Sequence, residues 1–427
     1  MILKVSPSTL SGSVQAPSSK SLSIRLIAAS LLANTPSKLL NISECDDCTH
    51  ALGLAAGLGA EIELGSNGVI ITPTPLGIPC PREGELNAGE SGLSIRLFTP
   101  IAALSGKELT VTAEGSLLKR PLTDLISCLK DLDLCVTENN SCAPLKINGC
   151  LNGGEINLDG GLSSQSLTGL LLSLPFADND STIRVKDLKS RPYVEMTLEV
   201  MRNIGLELVH EENEDMDVFH IPANQFHYGI NTTVDGDWSA GAVLLTLGAL
   251  CGRPNLEVTG LRGKYTQSDS AIKGALLFAG YQLLGTDDGI SISKKKPRGF
   301  SLDLTHSPDL FPPLAALATF SKKPCTLKGA NRLISKESNR AEVILSEFSK
   351  AGVKVEVDGD IMKITPSKVK PCRINPHGDH RIVMAAAILG AAGAPIEIEN
   401  VECVAKSYPA FFDDLESIGC NISLVNL

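Results

Sequence analysis

No apolar run in this chain of 427 residues approaches the ~18 consecutive residues that suggest a membrane span. The opening MILKVSPSTLSGSV lacks the basic region and hydrophobic stretch of a secretory signal, so export is not expected and a cytoplasmic location is. A basic surplus is also missing, since 38 Lys and Arg stand against 48 Asp and Glu, for a formal charge of −10. Broad binding to nucleic acid or an anionic membrane needs the opposite balance. Any anion site must therefore be a local basic island. The 12 cysteines show no repeated spacing, and a chain this large needs no disulfide framework, so they are read as reduced thiols. One close pair, Cys45 and Cys48, has zinc-like spacing. No second pair follows and His50 alone cannot complete a site, so the spacing is read as coincidence and no metal is expected.

What the sequence does contain is repetition. PSSKSLSIRLIAASLLA, NAGESGLSIRLFTPIAAL, GGLSSQSLTGLLLSLPFA, DGDWSAGAVLLTLGAL, SPDLFPPLAALATF and PHGDHRIVMAAAILGAA each pair a small, polar opening with an Ala- and Leu-rich continuation. Taking Lys20, Ser91, Ser163, Asp237, Asp309 and Asp379 as markers, the intervals run from 70 to 74 residues, so six copies of one unit account for the chain. Between markers lies a second helical pattern that ends in a turn before alternating apolar residues: LAAGLGAEIEL, LISCLKDLDLCV, LEVMRNIGLELV, GALLFAGYQLL, ILSEFSKAGVKVEV and LESIGCNISLV. In five of these six a Gly occupies the C′ position, where left-handed backbone costs little. The unit reads as strand, helix, strand, helix, strand, strand. A chain of this length is expected to form two or three domains.

The first helix of each unit is apolar on nearly every face, which suits a helix buried among others. Its start is polar in every copy. Unpaired N–H groups and the helix dipole favour anions there, by about 0.3–2 kcal/mol, so tight anion binding also needs cations. Lys20 and Arg25 lie at the first start, Arg96 at the second, and His380 and Arg381 at the last. Turns entering the second helices add Lys119, Arg120, Arg191, Lys336, Arg340 and Lys406. For one residue alone, a solvated cation near a helix end is the ordinary reading; recurrence at equivalent positions points to a small polyanion as ligand. Asp309, Glu337 and Asp379 also sit at helix starts. Asp379 is expected to cap its helix, whereas Asp309 and Glu337 are candidates for acid–base work.

PSSKSLSIR, NAGESGLSIR, EGSLLKRP, GGLSSQSLTGLLLSLP, KSRPYVEMTL, GDWSAGA, SPDLFPPLAALA, SKESNRAE, PHGDHRIVMAAA and AKSYPAFFDDL, in this order along the chain, closely resemble the 5-enolpyruvylshikimate-3-phosphate synthase family. The resemblance implies an α/β, two-domain enolpyruvyl transferase fold. Each domain would hold three βαβαββ units around buried parallel helices, with the active site in the cleft between domains. Residues 1–18 with 235–427 would form one domain and 19–234 the other. It implies no cofactor and no metal, a monomer, and two small substrates, shikimate 3-phosphate and phosphoenolpyruvate, as partners.

By the same resemblance, Lys20, Ser21, Arg25, Ser163, Ser164, Gln165, Ser190, Tyr193, Asp309 and Lys336 attend shikimate 3-phosphate. Lys20, Gly92, Arg120, Gln165, Arg340, Arg381 and Lys406 attend phosphoenolpyruvate. Asp309 would act on the 5-hydroxyl and Glu337 on the methylene carbon, aided by Lys20 and by Lys406 or His380. Several positions depart from the family pattern: Ile24 and Asn339 replace a common Asn and Asp, and Glu90, Leu93 and Leu97 replace a common Asn, Thr and Pro. Glu90 adds a carboxylate beside an anion site and would need neutralising. Leu93 and Leu97 imply reduced sensitivity to glyphosate, which competes with phosphoenolpyruvate in this family. Two alternatives remain open at this point. One is the related transferase acting on UDP-N-acetylglucosamine, which has Asn after the first Lys and a loop Cys where this chain has Ser21 and EGSLLKRP. The other is an inactive repeat scaffold.

Overall fold

The computed structural model describes residues 1–161, 163–213, 216–261 and 263–425. The chain divides into two compact units, Ser18–Val234 and Met1–Pro17 with Asp235–Leu427. The unit Ser18–Val234 holds helices α1 (Lys20–Leu31), α2 (Asp46–Gly57), α3 (Gly92–Ala103), α4 (Thr123–Asp131), α5 (Gln165–Ser173) and α6 (Arg191–Asn203). The other unit holds α7 (Trp238–Cys251), α8 (Ile272–Phe278), α9 (Phe311–Thr319), α10 (Arg340–Lys350), α11 (His380–Ala392) and α12 (Phe411–Ser417). Among the described residues, no helix is long and apolar enough to cross a membrane.

Among the described residues, six four-stranded sheets accompany these helices, and all share one pattern of a parallel pair and two antiparallel pairs. In the sheet Glu85–Asn87, Leu109–Thr112, Cys142–Asn148, Cys135–Asn139, the first pair is parallel and the other two are antiparallel. A helix joins the two parallel strands, as a crossover connection requires. Cys142–Asn148 shows the alternation of a half-buried strand, with Ala143, Leu145 and Ile147 inward. Three sheets join strands from distant parts of the chain, one of them by pairing Leu10–Gln15 with Gly252–Thr259. Asn231–Thr233 pairs with Ser37–Leu40, and Ile2–Ser6 lies between Ile396–Glu399 and Asn421–Leu424.

The odd-numbered helices are the buried ones. Every residue of α3 and of α7 is buried, as is α11 from His380 to Ala391. By contrast α6 buries one face through Val194, Met196, Val200 and Met201. Two inner helices approach closely at Gly169 of α5, where a Cβ would lie 2.2 Å from the Arg96 carbonyl oxygen of α3. Only glycine permits that contact. Caps explain the polar starts: Ser19, Ser91, Asp237 and Asp379 each accept a bond from a backbone N–H in the first turn. The outer helices end as expected, on left-handed Gly59, Gly205, Gly280, Gly352 and Gly419. The sixth, α4, is followed by Asp133 at φ 59°, one of the residue types that tolerate that state.

Candidate active site

In the unit Ser18–Val234, cations gather at the starts of the inner helices. Lys20 is the first residue of α1, and its Nζ donates to Asp47 Oδ2 at 2.9 Å. Arg25, one turn further, is 1% exposed. Its guanidinium donates to the Ser21 carbonyl, to the Thr168 and Thr197 hydroxyls and to the Tyr193 carbonyl, at 2.8 to 3.2 Å. It thereby fixes the start of α1 against α5 and α6. Burial pushes this guanidinium down to about 10, with no carboxylate among these partners to offset it.

Arg96 plays the corresponding part on α3. It donates to the carbonyls of Gly92 and Pro121 and reaches Gln165 Oε1 at 3.5 Å, with Asp124 as its ion partner at 3.7 Å. Gly92, Gln165 and the segment carrying Arg120 are thus held around one buried side chain. Gly92 has a specific duty, because a Cβ there would stand 2.8 Å from Arg120 Nη1. The guanidinium lies directly against its backbone. Ser163 Oγ caps the Gln165 N–H at 3.1 Å, and Ser164 is buried at the start of α5. Ser190, before α6, adopts φ 54°, an uncommon state for Ser, and its carbonyl accepts from the Tyr193 N–H at 3.0 Å. Glu90 is taken up by the Ser116 N–H and hydroxyl at 2.8 and 3.0 Å, so hydrogen-bond donors meet the added carboxylate.

The other unit builds a different kind of cluster. Arg340, the first residue of α10, is 1% exposed and surrounded by three carboxylates. Nη1 meets Asp309 at 2.6 Å, Nη2 meets Glu337 at 2.6 Å, and Nε meets Asp379 at 2.7 Å. Asp379 also caps α11 through the Arg381 N–H at 3.0 Å and accepts from Ser338. Arg381 Nη2 reaches Asp309 Oδ2 at 3.2 Å, so Asp309 is gripped by two guanidinium groups. Burial alone would raise the Asp309 carboxyl; the opposing pull of Arg381, Arg340 and Lys336 wins and holds it below the usual carboxylate range. Lys336 is pushed down to about 8, by burial first, against the attraction of Asp309. Arg340 goes the other way, its three carboxylates outweighing burial. His380 is buried as the first residue of α11, and Lys406 donates to the Gly378 carbonyl at 3.1 Å.

Asp309, Lys336, Glu337, Arg340 and Arg381 therefore form one connected group, with His380 and Lys406 beside it. Asp379 does more than its position implies, since it is both cap and counter-ion. Asp269 is another residue that reading the sequence missed. It is buried, accepts from the Ser239 hydroxyl, and has its carboxyl pushed up to about 7 by burial and by Asp309. The only sequence signal was its place in the polar turn YTQSDS.

The profile of the family described as EPSP synthase (3-phosphoshikimate 1-carboxyvinyltransferase) matches residues 5–415. A 3-phosphoshikimate 1-carboxyvinyltransferase of Aliivibrio fischeri is 32% identical over 421 residues, covering 97% of this chain and 98% of that one. One from Photobacterium profundum is 31% identical over 419 residues, covering 96% and 97%. Among solved structures, EPSP synthase from Acinetobacter baumannii superposes with a TM-score of 0.83 at 21% identity, over 100% of both chains. The enolpyruvyl transferase NikO from Streptomyces tendae does so with 0.78 at 16% identity, over 99% and 98%. The fold is thus that of the enolpyruvyl transferases, and the chain belongs to the EPSP synthase family.

Proposed function

We propose that the chain performs its family's reaction with the two clusters above as its machinery. The enolpyruvyl group of phosphoenolpyruvate passes to the 5-hydroxyl of shikimate 3-phosphate and inorganic phosphate leaves, a step of chorismate and aromatic amino acid biosynthesis. The observation that carries the assignment of roles is Asp309, a carboxylate kept ionised between Arg340 and Arg381 with Lys336 in reach. A carboxylate so held can orient a hydroxyl; when substrate anions draw the cations off it, its basicity rises and it can take the proton.

In the addition, the 5-oxygen bonds to C2 of phosphoenolpyruvate, Asp309 accepts the hydroxyl proton, and the methylene carbon gains a proton from Glu337. In the elimination that carbon returns a proton to Glu337, its C–H pair forms the double bond to C2, and the C2–O bond breaks with its electron pair leaving on phosphate, which gives the enol ether. Arg340 begins with its Nη atoms on Asp309 and Glu337. An incoming carboxylate or phosphate competes for those N–H groups, and the release of Glu337 makes it available for proton transfer. Lys20, Ser21, Arg25, Ser163, Ser164, Gln165, Ser190, Tyr193 and Lys336 serve shikimate 3-phosphate. Lys20, Gly92, Arg120, Gln165, Arg340, Arg381 and Lys406 serve phosphoenolpyruvate, and His380 assists proton transfer. Arg25 acts partly by position, since its guanidinium donates to groups of the protein itself. The enzyme works in the cytoplasm as a monomer and without a cofactor.

The test is phosphate release from phosphoenolpyruvate by purified protein with chelator present. Release is expected with shikimate 3-phosphate and not with UDP-N-acetylglucosamine. A preference for the nucleotide sugar, or no release with either acceptor, rejects the proposal.

A further inference from the structure

Cys45 and Cys48 have no part in the reaction above, yet they sit against one of its residues. Cys45 is the N-cap of α2 and Cys48 lies in its first turn, with the Cys48 N–H donating to the Cys45 carbonyl at 3.0 Å. Three residues apart across the start of α2, the two thiols are neighbours on one helical turn. Cys48 Sγ lies 3.8 Å from the Lys20 carbonyl oxygen, and Asp47, between the cysteines, holds Lys20 Nζ at 2.9 Å. A metal does not account for the pair: among the described residues no group of three or more His, Cys, Asp or Glu could hold one.

The thiols are unequal. The neighbouring Cys48 thiol holds Cys45 below the ordinary thiol range against the effect of burial, with Lys20 adding to it; burial and the Cys45 thiol push Cys48 up. The start of a helix also favours a thiolate at Cys45. One thiol is thus set to attack and its neighbour to resolve. Both are fully buried, but a groove lined by Ser43, Glu44, Thr49 and Leu52 runs past the residues beside them. Neither thiol lines that groove, so a hydroperoxide reaches them when the start of α2 opens locally.

We propose that Cys45 and Cys48 are a redox-active dithiol, oxidised by a hydroperoxide to a disulfide that shifts Asp47 and so displaces Lys20. The Cys45 thiolate attacks the peroxide O–O bond and becomes a sulfenic acid, with one oxygen leaving as hydroxide. Cys48 loses its proton, its sulfur attacks the sulfenic sulfur, and a second hydroxide leaves. Two electrons pass from sulfur to peroxide, and protons taken up from the thiols and solvent give water. The functional half rests on the reading of Lys20 as a substrate ligand.

The experiment treats reduced protein with hydrogen peroxide, blocks remaining thiols by alkylation and weighs the peptide that spans both residues. That peptide is expected to be lighter by two hydrogens and unalkylated at Cys45 and Cys48. kcat/KM should fall on the order of tenfold to a hundredfold, the effect of misplacing a positioning group by about 1 Å, and return with dithiothreitol. Cys45→Ser and Cys48→Val should each retain activity and lose the reversible response. Absence of the disulfide overturns the proposal, as does a disulfide with unchanged kcat/KM or an equal reversible loss in both variants. If the disulfide forms in a protein that turns over neither acceptor even when reduced, the dithiol stands and the proposed reaction fails.

Discussion

Arg25 and Arg340 are equally hidden, each 1% exposed, and the two units satisfy them in opposite ways. Arg25 is met by hydroxyls and carbonyls. Arg340 is met by Asp309, Glu337 and Asp379. Dipoles stabilise a buried cation without cancelling its charge, so the surroundings of Arg25 remain attractive to an anion. Three carboxylates bond directly to the one guanidinium of Arg340, and Arg381 shares Asp309. The surroundings of Arg340 hold acids in place and suit proton transfer as well as anion binding. Burial lowers Arg25 to about 10, whereas Arg340 is raised. A buried arginine is thus not one kind of feature, and its partners decide what it does.

The sharpest way to break this comparison is to remove each side chain. Arg340→Met removes the cation that Glu337 and Asp379 share and leaves Asp309 to Arg381 and Lys336, a loss expected at about 3–5 kcal/mol. Denaturant unfolding at neutral pH measures it, and much of the loss should disappear at low pH, where the carboxylates are protonated. Arg25→Met removes bonds to neutral groups that retain other partners, for example Thr197 Oγ on the Tyr193 carbonyl. Its cost should be smaller, about 1–3 kcal/mol, with little dependence on pH between 4 and 7 as a rough window for carboxylate titration. Equal losses, or equal pH dependence, would show that the partners do not matter as argued.

The same contrast predicts a pH profile. Lys336 is lowered from 10.5 to about 8, so between those values the unfolded chain binds more protons than the folded one. Its contribution to stability therefore rises with pH across that window. Its charge is lost over the same window, and kcat/KM for shikimate 3-phosphate should decline toward tenfold per pH unit above about 8. Lys336→Arg should flatten the decline. An unchanged profile in that variant assigns the titration elsewhere.

The smallest effect concerns Leu93, buried in the first turn of α3 beside Gly92. Leu93→Thr is expected to tighten glyphosate binding by a few fold, roughly 1 kcal/mol, through the position of Gly92 against Arg120. The inhibition constant against phosphoenolpyruvate tests it. Equal values for the two proteins would mean that this position does not tune the pocket.

Much of the fold was legible because the cues are local. The five glycines and Asp133 after the outer helices, and the caps Ser91, Asp237 and Asp379, act within a few residues of themselves. The candidate residues were legible through motifs, and those of each unit fall at the starts of inner helices or on the turns before outer ones. The partners were not. Arg25 meets Thr197 across 172 positions and Thr168 across 143, and nothing in SLSIR indicates hydroxyls rather than carboxylates. Nor does GDHR indicate that Asp379 serves Arg340, 39 residues earlier. The spacing of Cys45 and Cys48 was visible, but the proximity of the pair to Lys20 required the packing of α1 on α2.

The strand Ile2–Ser6 sits between two strands from the far end of the chain. A ribosome makes it first and its neighbours last. At about 5–20 residues per second, it must wait for tens of seconds with its backbone groups unpaired by those neighbours. The unit Ser18–Val234 waits about half as long, because Ser37–Leu40 needs only Asn231–Thr233, which emerges with that unit's own C-terminal end. Order of synthesis therefore favours completing the arginine held by dipoles before the one held by charges.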